Sequence, residues 1–393
     1  MENFEFFKAT NLIFGNDQLG KLGNEIKKHT SKKILLTYGG GSIKAIGLYD
    51  KVIEQLKKHN IEYIELSGIK PNPETDTARA GIKLIKENDI DFILAVGGGS
   101  VLDNSKHMAI GSQSDLDIWD LFNDNIAMSK ITNLPKIGSI ITLAATGSEM
   151  NTGGVITNPE FNIKKGILHP DAAPVFAFEN PEMLHSLPLY QRQAGICDIL
   201  SHLLEAYFGE HQDDMLTDRI VEAIMINIID NYKDYLENNN YDTHASVFLS
   251  STLALNGLTG LGRKKQDWIS HNIEHEISAY TDLTHGIGLA IVHPNVLAYY
   301  LDNDIKNNND LIKFVNLGKN VFKLQGNDKD ISLKTIESIR GLFYSISNVK
   351  TLKDVEIENF NIEQSASKLT ANGNIGSYIT LTKEDVINIF NSL

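Results

Sequence analysis

Cysteine is all but absent from this chain of 393 residues: Cys197 stands alone, so no intramolecular disulfide can form. Proline numbers nine and tryptophan two, which excludes a collagenous or proline-rich extended chain. Cationic residues are short as well. Lys and Arg total 36 against 50 Asp and Glu, a net charge of −14. Such a surface repels phosphate backbones and anionic lipid heads, so no nucleic-acid partner and no membrane partner is expected. Long hydrophobic runs are missing too. The uncharged stretch His244–Gly262 is long enough to span a bilayer, but Ser250, Ser251, Asn256 and its glycines break its apolar character, and it reads as a buried helix and turn. Met1 to Gly15 has no basic region followed by an apolar run. With one cysteine in the chain, the expected compartment is the reducing cytoplasm.

What is present is an ordinary globular composition, 42% hydrophobic and 22% charged, in a chain long enough for two domains with cores of their own. Up to about residue 180 the pattern alternates. Lys33–Tyr38 is a short apolar run ending at Gly39-Gly40-Gly41-Ser42, and Ile43, Ile46, Tyr49, Ile53 and Leu56 then recur near helical spacing. Ile61–Leu66 reads as a strand and Thr75–Glu87 as a helix. Phe92–Val96 is a second buried strand, ending at Gly97-Gly98-Gly99-Ser100 before another helix, and Gly138–Thr142 is one more strand. This alternation predicts βαβ units and a mostly parallel, Rossmann-like sheet over residues 1–180. From 181 to 393 helical periodicity takes over, in Arg192–Phe208, Asp218–Leu236, Ala245–Leu255, Trp268–Tyr280 and Asp310–Phe322, and an all-α domain is expected. The stretch from Thr370 to Leu393 carries little signal.

Both Gly-Gly-Gly-Ser segments lie between a predicted strand and a predicted helix. There, glycines let the backbone approach a pyrophosphate and the free N–H groups of the helix start face its charge. Gly40, Gly41, Gly98 and Gly99 are therefore candidate phosphate contacts, although neither segment is the G-x-G-x-x-G fingerprint and a single such loop would read equally well as a tight turn. At the first loop an acidic residue would favour NAD. Ser42, with Lys44 beyond, tolerates a 2′-phosphate and points to NADP(H). Gly257, Gly260 and Gly262 follow no strand and read as a helix-ending turn.

In the helical half, Asp198 and His202 are four residues apart on one helix face, as are His271 and His275, and His285 follows. One carboxylate and several imidazoles suit Fe²⁺ or Zn²⁺ better than Mg²⁺ or Ca²⁺. Spacing alone also fits a solvated polar face. His275-Glu276 is no metalloprotease motif, since Ala279 stands where H-E-x-x-H needs its second histidine.

Taken in order, Tyr38–Ser42, Pro71-Asn72-Pro73, Gly97–Asp103, Thr142–Glu149, Asp198-x₃-His202 and His271-x₃-His275-x₉-His285-Gly286 resemble the iron-dependent (group III) alcohol dehydrogenases, most closely their NADPH-dependent butanol dehydrogenase-like branch of aldehyde reductases. The resemblance runs from about Phe7 to about residue 345 and weakens beyond. It implies a dehydroquinate synthase-like architecture, with an N-terminal α/β dinucleotide domain, a C-terminal helical domain, and metal and substrate in the cleft between them. It further implies that Asp198, His202, His271 and His285 hold one divalent metal, and that His275 lies near the nicotinamide without binding metal. Gly98, Gly99, Ser100 and Asp103 would cradle the pyrophosphate. Thr142, Thr146, Asn151, Gly153 and Lys164 (followed by Lys165) would line the cofactor, and Ser42 would face the adenosine ribose. The implied reaction is reversible hydride transfer between NADP(H) and a small primary alcohol or aldehyde, with His275 as proton relay. Relatives form dimers, so a homodimer is expected, with Phe4–Ile13 pairing across its interface. Alternatives on the same scaffold are a polyol dehydrogenase or a dehydroquinate synthase-like enzyme, for which Arg263, Lys264 and Lys265 are the basic cluster at hand. Outside catalysis, the alternative is a nucleotide- or metal-binding redox sensor.

Overall fold

The computed structural model describes residues 1–210, 215–358 and 360–393. The chain divides into two compact units, one of residues 7–188 with 239–252, the other of residues 1–6, 189–238 and 253–393.

The first unit is built on strands β1 (Asn11–Phe14), β2 (Ile34–Tyr38), β3 (Tyr63–Leu66), β4 (Phe92–Gly97), β5 (Lys136–Ile141), β6 (Gly153–Asn158), β7 (Ile163–Leu168) and β8 (Phe176–Glu179). Six of them form a parallel sheet in the order β1-β8-β5-β4-β2-β3, and β6 and β7 pair as an antiparallel hairpin. Every residue of β2 and β4 is buried, which is why these strands read as unbroken apolar runs rather than alternating ones. On one face Leu36, Tyr38, Leu94, Val96, Ile140 and Phe178 pack against Ile43, Leu48, Val52 and Leu56. From β2 the chain moves outward to β3; from β4 it turns the other way to β5. The strand order thus reverses between neighbours β2 and β4, and ligands of open α/β sheets bind at the carboxyl ends flanking such a switch point. Both glycine loops sit there.

The four expected strands are present, and β1, β8 and the β6–β7 hairpin add to them. The single helix expected from Ile43 to Leu56 is two pieces, Ser42–Ala45 and Leu48–Lys58. Gly47 parts them at φ 71°, a left-handed conformation that ends one helix before the next begins. The helix Tyr241–Leu255 followed by left-handed Gly257 is the buried helix and turn anticipated for His244–Gly262.

The second unit is helical: Leu189–Tyr207, Met215–Glu237, Ile269–Thr281, His285–Asn307, Ile312–Asn320, Asp328–Ser347, Ile362–Leu369 and Lys383–Asn391. The parallel-sheet and helical halves of the expected fold are both realised. The uninformative C-terminal stretch is firmly tied: Ser377 N–H donates to Asp267 Oδ1 (2.9 Å), the Tyr378 hydroxyl donates to Asp304 Oδ2 (2.8 Å), and the Tyr378 ring stacks on Tyr300. Among the described residues, no helix is long and apolar enough to cross a membrane.

Gly286 sets the approach of His285–Asn307 to Leu189–Tyr207. A Cβ built there would lie 1.9 Å from the backbone oxygen of Ala194, so even a methyl group forces the helices apart. Gly286→Ala is expected to cost about 3 kcal/mol, the upper end for overpacking a core. Chemical denaturation of the purified variant checks this, and a stability equal to the parent would contradict the close packing.

Candidate active site

Helix Leu189–Tyr207 presents Asp198, His202 and Glu205 on one face, at offsets of four and seven residues. All three are buried, so the solvated polar face that spacing alone allowed is not what the chain builds. Helix Ile269–Thr281 contributes His271, Glu274 and His275, and His285 opens the next helix. The four residues named as metal ligands converge. From Asp198 Oδ1 the Nε2 atoms lie at 3.4 Å (His202), 3.8 Å (His271) and 3.8 Å (His285). The His202 and His271 rings stack with centroids 4.8 Å apart.

These spacings are long for hydrogen bonds and right for shared coordination. Ligands bound at about 2.1 Å in a tetrahedron lie about 3.4 Å from one another. Asp198 Oδ1 and His271 Nε2 are buried and have no hydrogen-bond partner, as expected of atoms that face an ion. Carboxylates orient two of the rings from behind. Glu205 Oε1 accepts from His271 Nδ1 at 3.1 Å and from its backbone N–H at 3.1 Å, and Glu274 Oε2 accepts from His285 Nδ1. Each such bond fixes the proton on Nδ1 and turns the Nε2 lone pair inward. The residues present therefore fit one divalent metal.

These buried groups act strongly on one another, and a cation entering among them takes the place of the Nε2 proton that the neighbouring carboxylates favour on His271. Burial works to raise Asp198, but the imidazoles around it outweigh burial and hold the carboxyl well below the usual carboxylate range. Burial drives His202 down to about 3. Burial also works against a charged His271, yet the carboxylates of Asp198 and Glu205 on either side lift it to about 9. His275 sits one layer out. Its ring centroid is 5.3 Å from that of His285 and 6.4 Å from that of His271, and its ligand atom groups with those of Glu274 and His285.

In the first unit the second glycine loop caps β4, and Gly99 opens the helix Gly99–Gly111. Thr142 N–H donates to Gly97 O at 3.1 Å, which brings the segment after β5 beside that loop. A Cβ on Gly99 would lie 2.5 Å from Thr146 Oγ1, so the glycine permits this contact. Asn151 and Gly153 are gathered by Lys106, a residue that no motif marks. Four oxygens surround the three N–H donors of its buried ammonium, Ser148 O (2.7 Å), Ser148 Oγ (2.8 Å), Asn151 Oδ1 (3.0 Å) and Gly153 O (2.5 Å), and burial lowers it to about 8. Asp103, expected at the pyrophosphate, is buried and accepts from Ser148 Oγ (2.6 Å) and Val155 N–H (2.9 Å). Gly98 and Ser100 flank the helix start. Lys164 is buried on β7, whereas Lys165 donates to Phe122 O and Asn123 Oδ1 on the other face of that strand. The first loop places Gly40, Gly41 and Ser42 in the open at the end of β2. Lys44 lies over the rings of Tyr38 and Tyr49, at 5.0 and 4.7 Å, and the two tyrosyl hydroxyls donate to Glu65 (2.6 and 2.8 Å).

The sequence model described as "Iron-containing alcohol dehydrogenase" matches residues 9–181, and that described as "Fe-containing alcohol dehydrogenase family, C-terminal" matches residues 193–393. The chain belongs to the iron-containing alcohol dehydrogenase family. Within this family it is 40% identical to NADH-dependent butanol dehydrogenase A of Clostridium acetobutylicum, over 99% of each chain. It is 33% identical to the NADPH-dependent aldehyde reductase YqhD of Escherichia coli, over 95% of this chain and 94% of that one. Among solved structures, NADH-dependent butanol dehydrogenase A of Thermotoga maritima superposes with a TM-score of 0.92 at 34% identity, covering 100% of this chain and 98% of that one.

No motif marks Glu205 or Glu274, although both lie on the ligand faces of their helices, seven residues after Asp198 and three after His271. His271→Ala should leave at least tenfold less bound metal, because it removes one ligand and strands Glu205. Metal analysis of the purified variant checks this, and a full metal complement would contradict the assignment.

Proposed function

We propose that this protein catalyses reversible hydride transfer between a nicotinamide dinucleotide and a small primary alcohol or aldehyde of the butanol and butanal class. The observation that carries this reading is the convergence of three Nε2 atoms within 3.8 Å of Asp198 Oδ1, in a chain whose other unit places two glycine loops at a sheet switch point. Asp198, His202, His271 and His285 would hold a divalent Fe²⁺ or Zn²⁺, which supplies Lewis acidity toward a carbonyl or hydroxyl oxygen. The dinucleotide supplies or accepts the hydride at its C4 carbon.

The protein's own share is binding, orientation and proton movement. Gly98, Gly99 and the N–H groups at the start of Gly99–Gly111 would receive the pyrophosphate, with Thr142 and Thr146 beside them. Ser148, Asn151 and Gly153, held by Lys106, keep that wall in place. Glu205 and Glu274 fix the ring orientation of His271 and His285. His275, next to those rings but outside the Asp198 cluster, is assigned the proton relay between substrate oxygen and solvent.

For the cofactor we favour NADP(H), on the strength of exposed Ser42 and nearby Lys44, which admit a 2′-phosphate. Glu65 near the end of β3 supports NAD(H) as the second reading, because an acidic group there takes ribose hydroxyls, and relatives named for each cofactor occur. Both Glu65 oxygens already accept from Tyr38 and Tyr49. Phosphorylated-sugar chemistry finds little support. Arg263, from the basic cluster that would serve it, pairs with Asp218 at 2.8 Å, and Lys264 pairs with Glu210. We further assign the chain to the reducing cytoplasm, which suits a lone, buried Cys197, and to a homodimer, which suits the exposed rings of Phe4 and Phe7.

The test is a steady-state assay of metal-loaded protein with butanal and either reduced nucleotide. Turnover should depend on the metal, and no turnover with butanal, glycerol or other small carbonyls and alcohols would overturn the assignment. Ser42→Asp should lower kcat/KM for NADPH relative to NADH by at least about tenfold, through like-charge repulsion. An unchanged ratio would contradict the role given to that loop.

A further inference from the structure

Apart from the metal cluster, two carboxylates meet inside the first unit. Glu149 belongs to the turn Ser148–Met150, and Glu179 is the last residue of β8. Both are buried, as is Thr252, whose hydroxyl lies between them. Thr252 Oγ1 is 2.8 Å from Glu149 Oε1, 2.8 Å from Glu179 Oε1 and 3.3 Å from Phe248 O. A threonine hydroxyl has one proton, and an ionised carboxylate can only accept. Three acceptors around one donor cannot all be satisfied by it. The arrangement closes when one carboxyl carries a proton and donates it to Thr252 Oγ1 while the hydroxyl donates to the other. Two ionised carboxylates here would be buried like charges bridged by one neutral group. Burial, and for Glu179 the neighbouring Glu149 charge, push both above the ordinary carboxylate range. From helix Gly99–Gly111, Lys106 and Asp103 face Glu149 and act on it in opposite directions.

The turn that Glu149 closes also carries nucleotide-site contacts. Gly147 enters it at φ 57°, Thr146 before it touches Gly99, and Ser148 inside it bonds both Asp103 and Lys106. We propose that Glu149 and Glu179 share a proton across Thr252 and act as positioning residues that hold the 146–151 turn against the start of the pyrophosphate-binding helix. Loss of that proton leaves two negative charges in a buried site. Glu179 is fixed in the sheet through β8, so the turn carrying Glu149 is the part that yields, and nucleotide binding weakens with it.

The inference rests on the dinucleotide reading, and the test separates the two. An infrared difference spectrum of the full-length protein, wild type minus Glu179→Gln, should show a carboxylic-acid C=O band at neutral pH. Titration of NADH and NADPH binding by nucleotide fluorescence should give a wild-type Kd that rises about tenfold per pH unit above the pair's apparent pKa. Glu179→Gln should abolish that alkaline rise. Thr252→Val should weaken binding at neutral pH, and Thr252→Ser should restore it. Absence of the band, a wild-type Kd that does not change with pH, or an alkaline rise that persists in Glu179→Gln overturns the shared proton. So does Thr252→Val binding nucleotide as the wild type does. A wild type that binds neither nucleotide at any pH overturns the dinucleotide reading, and the positioning role with it, even where the band is present.

Discussion

A carboxylate buried in the middle of a helix is the constraint on which the helical unit depends. Asp198 gains nothing from water in that position, and an isolated ion there would be prohibitively costly. Its charge is met by imidazoles from three helices: His202 one turn on, His271 across from it, and His285 at the start of the next helix. For His285 to arrive, the backbone of Gly286 must touch that of Ala194, a contact only glycine allows. For His271 and His285 to present the correct nitrogen, Glu205 and Glu274 must stand behind them. Packing and chemistry are here one requirement, since the close approach that the ligand geometry demands is also the core of the unit.

The α/β unit handles buried charge by a different route. Lys106, deep in the helix that follows β4, spends its donors on oxygens of Ser148, Asn151 and Gly153, while Asp103 takes the Ser148 hydroxyl and the Val155 amide. These bonds tie the segment after β5 and the start of β6 to the helix whose N-terminus lies at the switch point. Such a buried polar network holds one arrangement of the loops, which is what a site for an extended dinucleotide needs.

Much of this was legible in the sequence wherever the physical signal was local. Apolar runs without alternation marked β2 and β4, glycines directly after them marked the loops, and four-residue spacing put Asp198 with His202 and His271 with His275. What was not legible depends on contacts between distant segments. β1 and β8 are four residues each and become strands by pairing with one another and with β5. Helix His285–Asn307 carries a buried face too wide to leave a clean stripe, and Pro294 interrupts its pattern. Glu205, Glu274 and Lys106 look like ordinary helix-surface charges until the chain folds. Gly286 stood in the matching motif beside His285, but its purpose, contact with Ala194, emerges only in three dimensions.

Convergence of one aspartate and three histidines on a single cation is the arrangement proposed for the helical unit. X-ray absorption spectroscopy of the iron- or zinc-loaded protein addresses this directly. The expected spectrum has a first shell of about three imidazole nitrogens and one carboxylate oxygen near 2.1 Å, with the outer-shell scattering characteristic of imidazole rings. A shell made of water and carboxylate oxygens, with no imidazole signature, would contradict it.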